Sequence, residues 1–598
     1  MTANLNLGVI GNCAIAALVD EDARVVWACL PRIDSEPVFC ALLTTPDGEN
    51  AADGACAIEM RDRVEVEQAY LENSAVLRSV ITDVAGSAVE VLDFVPRFEK
   101  DRQVERPPII VRCLTPLRGR PMVRTVVRPL LDHGAARPSM TRGSHHIRYA
   151  GDRQNHRLTT TIPISYVVEE RFFRLDRQHW IMFGSEEGIA SDIAEAGRGW
   201  LEDTLVHWRG WVRGLSIPFE WQEAVIRSAI TLKLCQYEET GAIVAALTTS
   251  IPEATGSQRN WDYRYCWLRD SYFVIRALNR LGVTRTMEQY IGFITNVVDE
   301  VRPSELQPVY GISRAADLTE TVAPALQGYR GMGPVRIGNQ AFAQVQHDVY
   351  GSVILAAVHL FFDQRLLRRP ANEELFEQLE QLGHRAIACF DQPDAGPWEL
   401  RTLSAVHTFS SVMCWAACDR LARIARALGR SDRTAFWTAQ AVRLRAEILR
   451  ATWNPKAGSF VSTFDGDALD ASLLLLPQLG FVKAADPRFH ATVERVGADL
   501  RRGDFIYRYV AADDFGRPET AFTICTFWYV EALAAVGKTA EARALFERML
   551  ARRNPLGLLS EDIAPATGEL WGNFPQTYSM VGLINCAVNL SVSWEEAS

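Results

Sequence analysis

The spacing of apolar and polar positions changes once along the chain. Up to about residue 185 the apolar residues come in short β-branched runs. Val76–Thr82 and Val89–Val95 alternate imperfectly, with Gly86 marking a turn between them. Ile109-Ile110-Val111 and Thr159–Ile162 are further strand-like runs. Such a series predicts an antiparallel sandwich. Between about 188 and 216 the period lengthens. Ile193, Ala194, Trp200, Leu201, Trp208 and Trp211 predict a connecting helix that Pro218 ends. From 219 onward the period is helical. Helices are predicted over 220–238, 270–281, 284–300, 339–364, 373–391, 405–427, 431–452, 519–536, 538–552 and 575–591, with 467–480 as a further candidate. Helices alternating this regularly with loops predict a ring or array of helix pairs. Their number does not separate a closed barrel from a solenoid, and no strict repeat recurs. The expected divisions are a β-sandwich over 1–187, a linker helix over 188–218 and a helical domain over 219–598.

Composition narrows the function. With 598 residues the chain exceeds one ordinary core. A net charge of −10 speaks against a nucleic-acid partner and says little about a neutral ligand. No run of eighteen apolar residues occurs, so no membrane span is expected. The first residues, Met1 to Leu7, lack a basic region and a long apolar stretch, which predicts a cytoplasmic protein without a secretory signal. The twelve cysteines are scattered, and Cys235, Cys389, Cys525 and Cys586 sit in apolar runs, as buried free thiols would. Cys414 and Cys418 are spaced i, i+4, but no second pair matches them, so no metal site is expected. Nothing in the composition decides for or against a homo-oligomer.

Three segments suggest chemistry on a sugar. Arg259 to Asp270 places Trp261, Tyr263, Tyr265 and Trp267 among Arg259, Asp262, Arg264, Arg269 and Asp270. Aromatic faces suit the C–H face of a pyranose, and the charged groups suit its hydroxyls. The same residues also read as an aromatic cluster with ion pairs, and Asp270 as an ordinary acid near a helix start. Trp398-Glu399 follows Gly396-Pro397 in a loop. A carboxyl there, beside an indole and poorly solvated, is expected to hold its proton near neutral pH, as a general acid must. Glu561, in Leu559-Ser560-Glu561-Asp562, lies in a long loop where an acid can polarise water. Taken alone, each reads more readily as a surface acid.

Read together, these segments resemble glycoside hydrolase family 15, the glucoamylases and their bacterial relatives, along nearly the whole chain. The opening Ile10-Gly11-Asn12 to Ser35, Arg259 to Arg264, Gly328-Tyr329-Arg330-Gly331, Pro334 to Asn339, Trp398-Glu399 and Gly572-Asn573-Phe574-Pro575-Gln576 carry the resemblance in family order. It implies a β-sandwich followed by an (α/α)6 barrel, and hydrolysis with inversion. By motif, Glu399 resembles the general acid and Glu561 the general base. Arg269 and Asp270 resemble the grip on the non-reducing glucose, with Trp267 and Trp398 at its aromatic wall. Arg508 and Tyr329 are further expected substrate contacts. An inverting pair stands about 6.5–9.5 Å apart to admit a water, and the reaction needs no metal or organic cofactor. Ser411 and Met580 depart from the bacterial pattern, where Lys and His are usual, so fine preference does not transfer. The expected substrate is a small soluble α-glucoside, trehalose before maltose- or isomaltose-type oligosaccharides. A disaccharide phosphorylase and a non-catalytic sugar-binding barrel are the rival readings. The loop carrying Glu561 favours hydrolysis over the first, and the presence of both acids argues against the second.

Overall fold

The computed structural model describes residues 3–44, 53–189, 191–302, 306–366 and 373–597; residues 1–2 and 598, the outer limits of the two domains drawn from sequence, lie outside that range. The first part is built of two antiparallel sheets. One runs through Gly8–Gly11, Ala16–Val19, Val25–Cys29, Ala55–Met60, Met122–Arg128 and Phe173–Arg174, with Pro37–Phe39 on its side. The other has eight strands and includes Leu77–Asp83, Ala88–Phe94, Ile109–Arg118, Asn155–Thr160 and His179–Gly184. The hairpin expected around Gly86 is present. Leu77 pairs with Asp93 and Ile81 with Val89, and Gly86 takes the left-handed φ of 79° that a turn residue with a side chain resists. Val25, Ile58, Ile81, Val89, Leu114 and Phe183 pack together as one apolar core. Arg112 and Asp93, opposite each other on neighbouring strands, form a fully buried ion pair, and the guanidinium also donates to the Cys56 carbonyl at 2.6 Å.

The connecting helix is Ile193–Arg213, capped by Asp192. It stops at Gly214, before Pro218; the proline lies beyond the end rather than causing it. The helix joins both parts. Thr204 accepts from the Arg97 amide at 3.1 Å, and Trp208 is buried within the large core of the helical domain.

The helical part is an (α/α)6 barrel. Six segments form its inner ring: Leu268–Arg280, Asp348–Ala357, Thr408–Ala427, the short 3-10 helix Ala471–Leu475, Thr523–Ala535 and Thr577–Leu590. Each packs on the next, and the last returns to the first. Asp348–Ala357 and Thr523–Ala535 are apolar and buried on nearly every side, as helices enclosed on all faces must be. The outer ring is Gln222–Leu234, Thr284–Glu300, Glu373–Cys389, Ser431–Thr452, Pro487–Asp499 and Thr539–Leu550. Three readings of the sequence need correction, the first being the candidate helix over 467–480, which is only the 3-10 turn Ala471–Leu475. The helix expected over 339–364 begins only at Asp348, after a loop that includes a 3-10 turn at Gln340–Ala343. Pro487–Asp499 was not expected at all, although Asp486 caps it and proline opens it.

Candidate active site

The inner helices share a direction, so their N-terminal ends meet at one mouth of the barrel. A pocket of about 980 Å³, counting its opening to solvent, lies there. Its lining comes from the loops that lead into those helices and from their first turns. The positive ends of several helix dipoles therefore face an enclosed, acid-rich space. Among the described residues, none that lines the pocket comes from the β-domain, which supports the pocket from behind. Arg264 grips Asp262 with two bonds and reaches back to the Ser35 carbonyl at 2.7 Å, and the Trp27 indole donates to the Leu247 carbonyl at 2.8 Å.

One wall holds Glu399. Gly396, at φ 69°, turns the loop where a Cβ would strike the His407 ring at 2.7 Å. Glu399 itself sits at φ 59°, a costly conformation for a non-glycine residue, held by the surrounding bonds. Its carboxylate accepts from the Trp267 indole at 2.6 Å and from Arg269 at 3.0 Å, and its side chain is 21% exposed. The indole beside it in sequence does not bond it: Trp398 Nε1 donates to Asp470. The apolar niche expected from Trp398-Glu399 is thus a charge-assisted one. Arg269 is a hub. It also donates to Gln346 at 2.8 Å and lies 3.3 Å from the fully buried Asp348. Asp270, in the first turn of its helix, is lifted to about 7, chiefly by burial and further by Glu399, while Arg269 opposes the rise.

The opposite wall holds Glu561, which is 1% exposed. Tyr263 donates its hydroxyl at 2.7 Å to one oxygen, and the Asn573 amide donates at 3.2 Å to the other. Gly572 makes room: a Cβ there would lie 2.7 Å from the Glu561 carboxylate. Burial raises the Glu561 carboxyl well above the usual range. Asp562 and Glu253 add to the rise, and Tyr263 and Arg508 pull it down. Arg508 lines the pocket but spends both ends of its guanidinium on Glu253, at 2.6 and 3.3 Å. Tyr263 and Trp267, 5.3 Å apart edge to face, bind one acid each and so connect the walls.

The structure therefore brings Glu399, Glu561, Arg269, Asp270, Trp267, Trp398 and Arg508 to one pocket. It does not bring Tyr329, which is buried away from it, donating to the Ala3 carbonyl at 3.2 Å and packing edge-on against Trp571. Ser411 and Met580 are core residues outside the lining. Ser411 donates to the Phe390 carbonyl at 2.6 Å, and Met580 is fully buried in its helix. Sequence reasoning missed Glu253, Gln346 and Asp348. Asp348 had a signal, since a single acid heads the apolar run Val349 to Ala357.

Comparisons with known proteins agree with this architecture. Residues 221–588 match the family model described as glycosyl hydrolases family 15, and residues 5–170 match a trehalase-like N-terminal domain. The chain is similar to a trehalase of Thermoplasma volcanium, 31% identical over 98% of this chain and 93% of that one. It is also similar to a trehalase of Mycolicibacterium smegmatis, 32% identical over 99% and 91%. Among solved structures it resembles a bacterial glucoamylase complexed with acarbose, with a TM-score of 0.68 over 99% of this chain and 94% of that one, at 14% identity.

Proposed function

The chain belongs to glycosyl hydrolases family 15 and is a glycoside hydrolase; on that premise we propose that it is a trehalase acting with inversion. Glu399 is the proton donor to the glycosidic oxygen, and Glu561 takes the proton of the attacking water. Arg269 and Asp270 hold the hydroxyls of the first glucose against Trp267. The observation that carries this reading is the unlike bonding of the two acids in one pocket. Glu399 is partly open and faces a guanidinium, whereas Glu561 is sealed between a phenol and a backbone amide. The relatives named trehalase support the choice of trehalose over maltose-type substrates. The twelve unpaired, buried thiols support a cytoplasmic setting.

The test is to incubate the purified protein with trehalose, maltose, isomaltose and soluble starch and to follow glucose and its anomers. Trehalose should be the best substrate. Inversion should release α- and β-glucose from it in equal amounts, because only the attacked ring changes configuration. Release of α-glucose alone would mean retention and overturn the mechanism. Glu561→Gln should lower turnover by about 10² to 10⁴ with the fold intact. Near wild-type activity in that variant would remove Glu561 from the mechanism.

A further inference from the structure

Three carboxylates crowd the buried side of the pocket. Glu253, Glu561 and Asp562 each bring an oxygen within 4.8 Å of the other two, and all three are buried. Arg508 bonds directly to Glu253 alone among them. Oxygens this close need hydrogens between or around them. Two of the residues have a full set: Glu253 accepts twice from Arg508, and Glu561 accepts from Tyr263 and from Asn573.

Asp562 does not. Its Oδ2 is buried and has no hydrogen-bond partner among the described residues. Its Oδ1 lies 3.0 Å from the Thr520 hydroxyl, and that hydroxyl also lies 2.9 Å from the backbone carbonyl of Glu253. A hydroxyl has one hydrogen, and a carbonyl can only accept. Once Thr520 donates to the carbonyl, its contact with Asp562 is a bond only if Asp562 supplies the hydrogen. We infer that Asp562 is a neutral carboxylic acid that donates to Thr520, and that as a positioning residue it leaves Glu561 the ionised member of the adjacent pair. The inference rests on the reading of Glu561 as the base.

The surroundings agree. Asp562 sits in a short strand between Phe522 and Trp571, where water does not reach it. Burial and then Glu253 push its carboxyl well above the usual range, while Arg508, Thr520 and Arg259 act in the other direction. Tyr507 and Cys525 also face it. A second anion beside Glu561 would make Glu561 harder to ionise. A neutral Asp562 removes that opposition while keeping the hydrogen-bonded frame.

The experiment uses the full chain and two readouts. Infrared difference spectra at neutral pH subtract Asp562→Asn from wild type; the difference should hold one carbonyl band of a protonated acid, since the bands of Glu399 and Asp270 are common to both proteins and cancel. Glu561→Gln should keep that band although it has lost turnover, which separates this inference from the assignment of the base. Thr520→Val should shift the band by removing its acceptor, an arm that holds even where Asp562→Asn folds poorly. In kinetics, Asp562→Asn should keep kcat/KM within about threefold and leave the acid limb of the pH profile in place. Three results would each overturn the inference. One is a difference spectrum without that band, or the same band lost in Glu561→Gln instead. Another is an acid limb moved down by about one pH unit or more in Asp562→Asn, the effect of removing a real negative charge. The last is wild-type activity abolished by a chelator and restored by magnesium or calcium, which would put a cation where we place a proton.

Discussion

The two walls of the pocket differ in how their charge is balanced. On the Glu399 side, Arg269 sits among Glu399, Asp348 and the nearby Asp270, and the acid keeps access to solvent. On the Glu561 side three buried carboxylates share Arg508, which is engaged by one of them. A proton donor must regain its proton from water in each cycle, so partial exposure suits it. A base must be charged before the water arrives, so it needs fixed donors and few anionic neighbours. With the roles proposed for Glu399 and Glu561, the walls solve opposite problems with the same side-chain chemistry.

The largest expected effect exploits that difference directly. Glu399→Gln should lower hydrolysis of trehalose by about 10² to 10⁴. It should lose far less on α-glucosyl fluoride, whose leaving group departs without a proton. Glu561→Gln should be equally poor on both, since the attacking water still needs a base. Measuring kcat/KM for both variants on both substrates gives four values. Equal rescue of the two variants by the fluoride would erase the distinction between the walls.

A middle-sized effect probes the crowded wall alone. Glu253→Gln keeps the shape but frees Arg508 from its partner. The guanidinium then acts on Glu561 uncompensated, and one neighbouring anion is gone. Both changes favour ionised Glu561, so the acid limb of kcat/KM against pH should move down by about one unit. An unmoved limb, or one moved upward, would show that Glu253 and Glu561 are not electrostatically joined.

These contrasts were only half legible in the sequence. The hairpin at Gly86 and most of the barrel helices follow from local period and turn residues, which report on nearby backbone. The pocket acids Glu399 and Glu561 came from short motifs in family order. What period and motif could not supply was the partner of each acid. Trp398 is next to Glu399 in the chain, yet the bonding indole belongs to Trp267, 132 positions away. Arg508 and Glu253 meet across 255 positions, and Tyr263 and Glu561 across 298. Such pairs exist only after the inner ring closes. The inner segment at Ala471–Leu475 lies inside the candidate helix 467–480, yet period could not tell that so short a 3-10 turn completes the ring. Tyr329 is the converse case: its motif fitted the family, but its side chain supports the N-terminal segment instead of a sugar.

The smallest expected effect separates charge from shape on the balanced wall. Asp270 is lifted to about 7 mainly by burial, whereas its ordinary value is 3.8. Between those values the folded protein holds a proton that the unfolded chain has released. That contribution to stability is complete below about pH 4 and is lost as the pH rises through about 7. Asp270→Asn replaces the neutral acid with a neutral amide, so the two proteins should melt together near pH 4. By pH 8 the wild type carries a buried charge that the variant lacks, and the variant should melt about 1–3 °C higher. The same substitution should raise KM for trehalose, because an acceptor for sugar hydroxyls has become in part a donor. A melting difference that stays constant from pH 4 to pH 8 would mean that Arg269 keeps Asp270 charged throughout, and the two walls would then differ less than their bonding suggests.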